Sequence, residues 1–140
     1  MLEIWRAGAG AEDRVKTAEH LFDHDVDLEA TRRFLAGGVN ELLIAYVDGN
    51  PAGFVSATEV THPDRARPEL FLNELGVAEA YRGRGVGRAL VVRLWEVARE
   101  RGCRGMWVLT DDDNVAANRV YTAAGGTRAR DEVMYQWGED

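Results

Sequence analysis

An α/β domain built on a mixed, mostly antiparallel sheet flanked by helices is predicted by three features of the sequence. Short apolar runs of strand length alternate with segments of helical period. The turn Asp48-Gly49-Asn50-Pro51 separates two of those runs and closes them into a hairpin. The resulting order, β-α-α-β-β-β-α-β-α-β, leaves helices to cover the sheet faces. The 140 residues suit a single domain, 1–140, large enough to bury its own core.

The elements follow in order. Leu2–Arg6 reads as a first strand. Ala11–Asp23 reads as a helix with Val15, Ala18, Leu21 and Phe22 on one face. Leu28–Ala36 is a second helix, stopped by Gly37-Gly38. Glu41–Val47 and Ala52–Val60 form the hairpin, and Thr61–Pro68, with two prolines, reads as a loop. Glu69–Val77 is a long strand. Gly85–Arg101 is a helix with an apolar stripe of Val86, Leu90, Leu94, Val97 and Ala98. Gly105–Thr110 is a strand, Asn114–Ala124 a helix ended by Gly125-Gly126, and Glu132–Trp137 a final strand.

Composition narrows the class. No apolar run approaches the ~20 residues of a membrane helix, and Met1–Arg6 lacks the basic-then-apolar pattern of a leader. A cytoplasmic protein without membrane partners is expected. The single cysteine, Cys103, excludes a disulfide framework and a cysteine zinc site. His20 and His24, four apart, lack a third ligand, so no metal is expected. The net charge of −7 argues against nucleic acid as a partner. The charge is uneven: seven of the 17 basic residues lie in Arg82–Arg104 against two acids, Glu96 and Glu100. An anionic ligand at that segment and a cationic one elsewhere would fit; so would an ordinary solvated helix face.

The basic segment opens with Arg82-Gly83-Arg84-Gly85-Val86-Gly87-Arg88, between a strand and a helix. Closely spaced glycines let successive N–H groups approach one anion, and the helix that follows adds its dipole. A dinucleotide fingerprint is absent, because Arg88 stands where its last glycine belongs. A nucleoside-triphosphate loop is absent too, since no Gly-Lys-Ser/Thr occurs.

With Leu75-Gly76-Val77 before it, this loop resembles the R/Q-x-x-G-x-G/A signature of the GNAT acetyltransferase superfamily. Asn114–Gly125, about 30 residues on, resembles that superfamily's N-x-x-A-x-x-L-Y-x-x-x-G block, with Val120 for the usual Leu. The resemblance covers roughly residues 40–137. It implies acetyl-CoA as cosubstrate, with the pyrophosphate on the backbone amides of Arg82, Gly83, Arg84, Gly85, Val86, Gly87 and Arg88. It implies a pantetheine arm along Leu75, Gly76 and Val77, the Leu75 amide near the thioester oxygen. Asn114 and Ala117 fall in the second cofactor-binding block. Tyr121 matches the tyrosine that faces the sulfur, as a hydrogen-bond partner or proton donor to the departing thiolate.

Glu74 is the candidate general base, since a free amine is mostly ammonium at pH 7 and must lose a proton before it attacks. A glutamate is a weak base unless burial raises it, so burial is expected with that role. A substrate anchor or a structural ion pair are its alternatives. Tyr121-Thr122 and Asp131–Tyr135 resemble the small GNAT-type aminoglycoside 3-N-acetyltransferases, implying a polycationic acceptor and a resistance role. Asp23, Asp111, Asp112, Asp113 and Glu132 are then candidate contacts for ammonium groups. Asp112 or Asp113 also suits a helix N-cap. A polyamine, peptide or protein amine is an alternative acceptor, and a non-catalytic acyl-CoA-binding module a further reading. Trp95, Trp107 and Trp137 supply aromatic surface for a homodimer, which is common in the superfamily.

Overall fold

The computed structural model describes residues 1–129 and 131–139. Five strands form one sheet in the order β1-β2-β3-β4-β5: Leu2–Arg6, Asn40–Val47, Asn50–His62, Arg65–Val77 and Gly105–Val108. All neighbours are antiparallel except β4 and β5, which run parallel. The helices are α1 (Glu12–Lys16), α2 (Leu28–Ala36), α3 (Val86–Glu100) and α4 (Val115–Ala123). Among the described residues no helix is long and apolar enough to cross a membrane.

Side-chain alternation divides the core between the two sheet faces. Leu43, Ala45, Val55, Ala57, Leu70 and Leu72 face α3, which buries Val86, Leu90, Leu94, Val97 and Ala98 against them. Leu42, Ile44 and Phe54 face the other way and are covered by Val15 of α1, Ala18 just after it and Leu35 of α2. α2 is capped by the Asp27 carboxylate, which accepts from the Ala30 N–H at 2.8 Å.

Four expectations change. The helix expected over 11–23 is only α1 and a 3-10 turn, Glu19–Leu21, because the Thr17 hydroxyl donates to the Arg14 carbonyl and the chain tightens there. The expected loop over 61–68 is instead the tight end of the β3–β4 hairpin, and Pro68 sits where the register shifts and no ladder N–H is needed. β5 stops at Val108, where its partner β4 leaves it. The strand expected over Glu132–Trp137 is unpaired, with Val133 75%, Tyr135 77% and Trp137 88% exposed. A β-prone sequence needs a neighbouring strand to pair with, and none within the described residues takes it.

The end of the sheet that holds the start of β2 is tied by buried charge. Glu41 accepts from Arg6 at both carboxylate oxygens, each at 2.8 Å, and from Arg101 at 2.6 Å. Arg101 also reaches Glu59 at 2.7 Å. These bonds clamp the C-terminal end of α3 to β1, β2 and β3. Burial alone would raise the Glu41 carboxyl, but hydrogen bonds and charge from Arg6 and Arg101 outweigh it and hold the group below its ordinary value. A depressed carboxyl contributes stability above its unfolded pKa, and loses it as pH falls through the folded value. Glu41→Gln should therefore cost about 3 kcal/mol of unfolding free energy near pH 7. Urea melts should show that cost constant from about pH 6 to 8 and shrinking below about pH 4.

Candidate active site

β4 carries one residue too many for its partner. Ala57 pairs with Leu72 and Ser56 with Glu74, so Asn73 is a bulge. The parallel pairing with β5 ends at the same place, at Leu72 and Val108. Beyond it β4 has a neighbour on one side only. The Ala78 N–H bonds to the Ala52 carbonyl of β3 at 2.8 Å. By alternation, Gly76 and Glu74 also turn their backbone groups toward β3, and Leu75 and Val77 turn theirs to the open edge. That edge can accept an extended chain as an added strand.

A glycine within a strand marks the close approach of another chain segment or a ligand. At Gly76 a Cβ would lie 2.6 Å from the Phe54 ring and 3.4 Å from the Leu21 carbonyl. Phe54 in turn packs on Phe22, ring centres 4.3 Å apart. The stack seats the 3-10 turn on this end of the sheet, and the chain leaves it at Asp23. Lys16 and Glu19 pair at 2.9 Å and hold the Val26 carbonyl and N–H respectively, closing the loop.

The glycine turn lies between the end of β4 and α3. Gly83 and Gly85 have φ of +76° and +80°, which keeps the turn from running on as helix before Val86. The first helical bond is from Ala89 N–H to the Gly85 carbonyl. Among the described residues, the N–H groups of Gly83, Arg84, Gly85, Val86, Gly87 and Arg88 have no partner. Six successive donors at a helix N-terminus suit an anion such as a pyrophosphate. Of the amides expected to hold the pyrophosphate, that of Arg82 is taken by the Glu79 carbonyl at 3.3 Å; the Arg82 Nε donates to the Val77 carbonyl at 3.2 Å and pins the turn to β4. Arg84 lies over the Tyr81 ring, 5.6 Å from its centre.

α4 closes the third side. A Cβ on Gly87 would sit 3.4 Å from Val120 and 3.5 Å from Val77, so α3, α4 and β4 meet there. Tyr121 follows Val120 and is half-buried against the core on the α3 face. Burial pushes its phenol above the ordinary value, which favours a neutral hydrogen-bond donor over a proton source. Asn114, not Asp112 or Asp113, caps α4, accepting from the Ala117 N–H at 3.1 Å. Asn118, which sequence reasoning missed, donates to the carbonyls of Asp111 at 3.1 Å and Asn114 at 2.8 Å. Its signal was its position four residues past the cap, where a side-chain amide can reach back over the turn.

The expected acids divide. Glu74 is exposed, not buried, and lies on the face covered by α1 and α2, the face from which Asp23 emerges. Asp111 and Asp113 are exposed past the end of β5. Asp112 is bonded to Arg128. Glu132 lies in the unpaired C-terminal segment, and no contact brings it to the cleft among the described residues. His20 ends up in the 3-10 turn and His24 in the loop after it, so they do not share a helix face. Cys103 is buried, and burial raises its thiol, which removes it as a nucleophile.

An open strand edge, a turn of free N–H groups and a half-buried tyrosine converge on one cleft, and residues 7–125 match the profile of the acetyltransferase (GNAT) family. The chain belongs to that family. It is 33% identical over 99 residues to a mycothiol acetyltransferase of Nocardia farcinica, covering 61% of this chain and 33% of that protein. The chain thus spans about a third of that relative's length. Among solved structures it resembles an aminoglycoside acetyltransferase from an uncultured soil metagenomic sample, in complex with sisomicin. The TM-score is 0.89 at 16% identity, over 99% of this chain and 97% of that one. It also resembles the aminoglycoside acetyltransferase AAC(6')-Iy in complex with a CoA bisubstrate analogue. There the TM-score is 0.80 at 21% identity, over 99% of both chains. These likenesses in fold cover 99% of the chain.

The Phe54–Gly76 contact gives a direct check on how this GNAT cleft is held. Gly76→Ala should destabilise by about 2 kcal/mol, the cost of overpacking. Phe54→Leu in the same chain should recover part of it, a negative coupling read from denaturant melts of the double-mutant cycle.

Proposed function

We propose that this GNAT N-acetyltransferase transfers acetyl from acetyl-CoA to an amine of a polycationic small molecule, an aminoglycoside, at the 3-amino position. The observation that carries the cosubstrate is the run of unpaired N–H groups from Gly83 to Arg88 beside the open edge of β4. The turn suits a pyrophosphate, and the Leu75 N–H and carbonyl with the Val77 N–H suit the amides of an extended pantetheine arm. Bound acetyl-CoA supplies an acetyl group activated as a thioester.

The chain's own groups do the rest. The Leu75 N–H is a donor for the oxygen on which charge develops. Glu74, which lacks the burial expected of a base but adjoins the Leu75 N–H on β4, takes one proton from the acceptor's ammonium group, which frees the nitrogen lone pair for the new bond to the acetyl carbon. As the C–N bond forms, the thioester C–S bond breaks; the nitrogen's second proton goes to the departing thiolate, to which Tyr121, kept neutral by burial, donates a hydrogen bond. Its exposure to solvent leaves Glu74 reachable by an acceptor approaching from the α1–α2 face. Asp23, Asp111 and Asp113 supply exposed carboxylates at the same end of the sheet for further ammonium groups. The 3-amino position rests on the likeness of Tyr121-Thr122 and Asp131–Tyr135 to the 3-N enzymes, and a resistance role follows from the same likeness.

Thiol release from acetyl-CoA should be seen with sisomicin, and more slowly or not at all with spermidine or an alanine-terminated peptide. NMR of the product should find the acetyl group on the 3-amino nitrogen; acetylation at the 6'-amine would overturn the position alone. Release with the peptide only would overturn the acceptor class, and tight CoA binding without release would favour a sensor. Glu74→Gln should lower kcat about 100-fold with acetyl-CoA affinity unchanged. An effect confined to the acceptor's KM would make the carboxylate an anchor.

A further inference from the structure

Only two polar side chains are fully buried among the described residues, Glu41 and Ser56. Glu41 is satisfied three times over by arginine. The Ser56 hydroxyl is sealed from solvent and has no hydrogen-bond partner. A buried hydroxyl left in that state is destabilising, and an alanine or valine would pack in its place without that cost.

Its neighbours limit what the hydroxyl can reach. The register sets Leu42, Ser56 and Glu74 opposite one another across β2, β3 and β4. Residues directly opposite in an antiparallel pair share a face, with Cβ atoms about 5 Å apart. Leu42 offers no acceptor. Along β3 on the same face, Phe54 offers none either, and Thr58, whose hydroxyl donates to Asn40 at 2.8 Å, lies two residues and about 7 Å further along the strand. The Glu74 carboxylate is the acceptor that remains in the row. The bulge at Asn73 lies between Leu72, where β5 is still paired, and Glu74, so this contact would sit at the mouth of the cleft.

We propose that Ser56 is a positioning residue for Glu74: its hydroxyl donates a hydrogen bond to one carboxylate oxygen and holds the other toward the acceptor's ammonium group. The proposal rests on Glu74 acting as the base. A long, exposed glutamate side chain samples many rotamers, and a fixed donor at its root selects among them. The bond completes when an acceptor draws the carboxylate inward, which is when orientation affects the rate.

The test is a double-mutant cycle on the full chain. Ser56→Ala, Glu74→Gln and the double variant are assayed for acetyl transfer to sisomicin, or to spermidine if sisomicin is not acetylated. Acetyl-CoA affinity and the thermal midpoint are measured alongside. Ser56→Ala should lower kcat about 10-fold, the worth of one hydrogen bond to a charged group. Acetyl-CoA affinity should be unchanged. Ser56→Thr, which keeps the hydroxyl, should recover most of the rate, and Ser56→Cys serves if threonine is too large to fold. In the Glu74→Gln background Ser56→Ala should change kcat less than about 2-fold. Full activity in Ser56→Ala beside a slow Glu74→Gln overturns the Ser56 role and leaves the base assignment intact. Equal losses in both backgrounds also overturn it, since the serine would then act through packing. Full activity in Glu74→Gln removes the base assignment and the Ser56 role with it.

Discussion

β4 pairs with β5 only as far as Leu72, because the extra residue Asn73 shifts the register on its other side and bends the strand away. Everything the cleft offers follows from that early parting. Leu75 and Val77 keep their N–H and carbonyl groups on an open edge. A longer β5 would bond those groups and fill the gap with sheet. The bulge also puts Glu74, not Asn73, opposite Ser56 and on the face that an acceptor can reach.

A parted pair of strands needs holding elsewhere. α3 is fixed at both ends by different means. Its C-terminal end is locked by Arg101 to Glu41 and Glu59, with Arg6 completing the cluster. Its N-terminal end is held by packing at Gly87 against Val77 and Val120, and by the Arg82 link to the Val77 carbonyl. The strong charge network stands away from the cleft, so the donors at the start of α3 are free of internal partners. Placing the buried ion pairs at the far end keeps the cleft end available to a ligand's charge.

How much the sequence revealed depends on how local the cause is. The glycine turn, α2 and the apolar stripe of α3 are local patterns, and they stand where the residues said; the hairpin turn is tighter, at Asp48-Gly49, with Asn50 and Pro51 already paired in β3. The bulge is not local: nothing in Glu69–Val77 alone shows that β3 is one residue shorter across it. Gly76 is crowded by Phe54, which comes from the neighbouring strand and not from its own. Asn114 took the cap expected of Asp112 or Asp113, since caps compete within a polar run and a residue's distance to the first free N–H decides. Glu132–Trp137 has strand chemistry without a strand to pair with. The Glu41 cluster and the orphaned Ser56 hydroxyl join residues far apart in the chain, and no spacing rule reaches them.

The central claim is that the Gly83–Arg88 amides and the free edge of β4 together form the cosubstrate site. Backbone amide NMR on the uniformly ¹⁵N-labelled chain, titrated with CoA, tests it residue by residue. The account predicts downfield shifts at the amides of Gly83 through Arg88, and at Leu75 and Val77, with saturation at one common CoA concentration. Amides of Gly76 and Ala78, turned toward β3, should move little. Shifts concentrated along α4 or on β1 and β2, with the glycine turn unmoved, would contradict it.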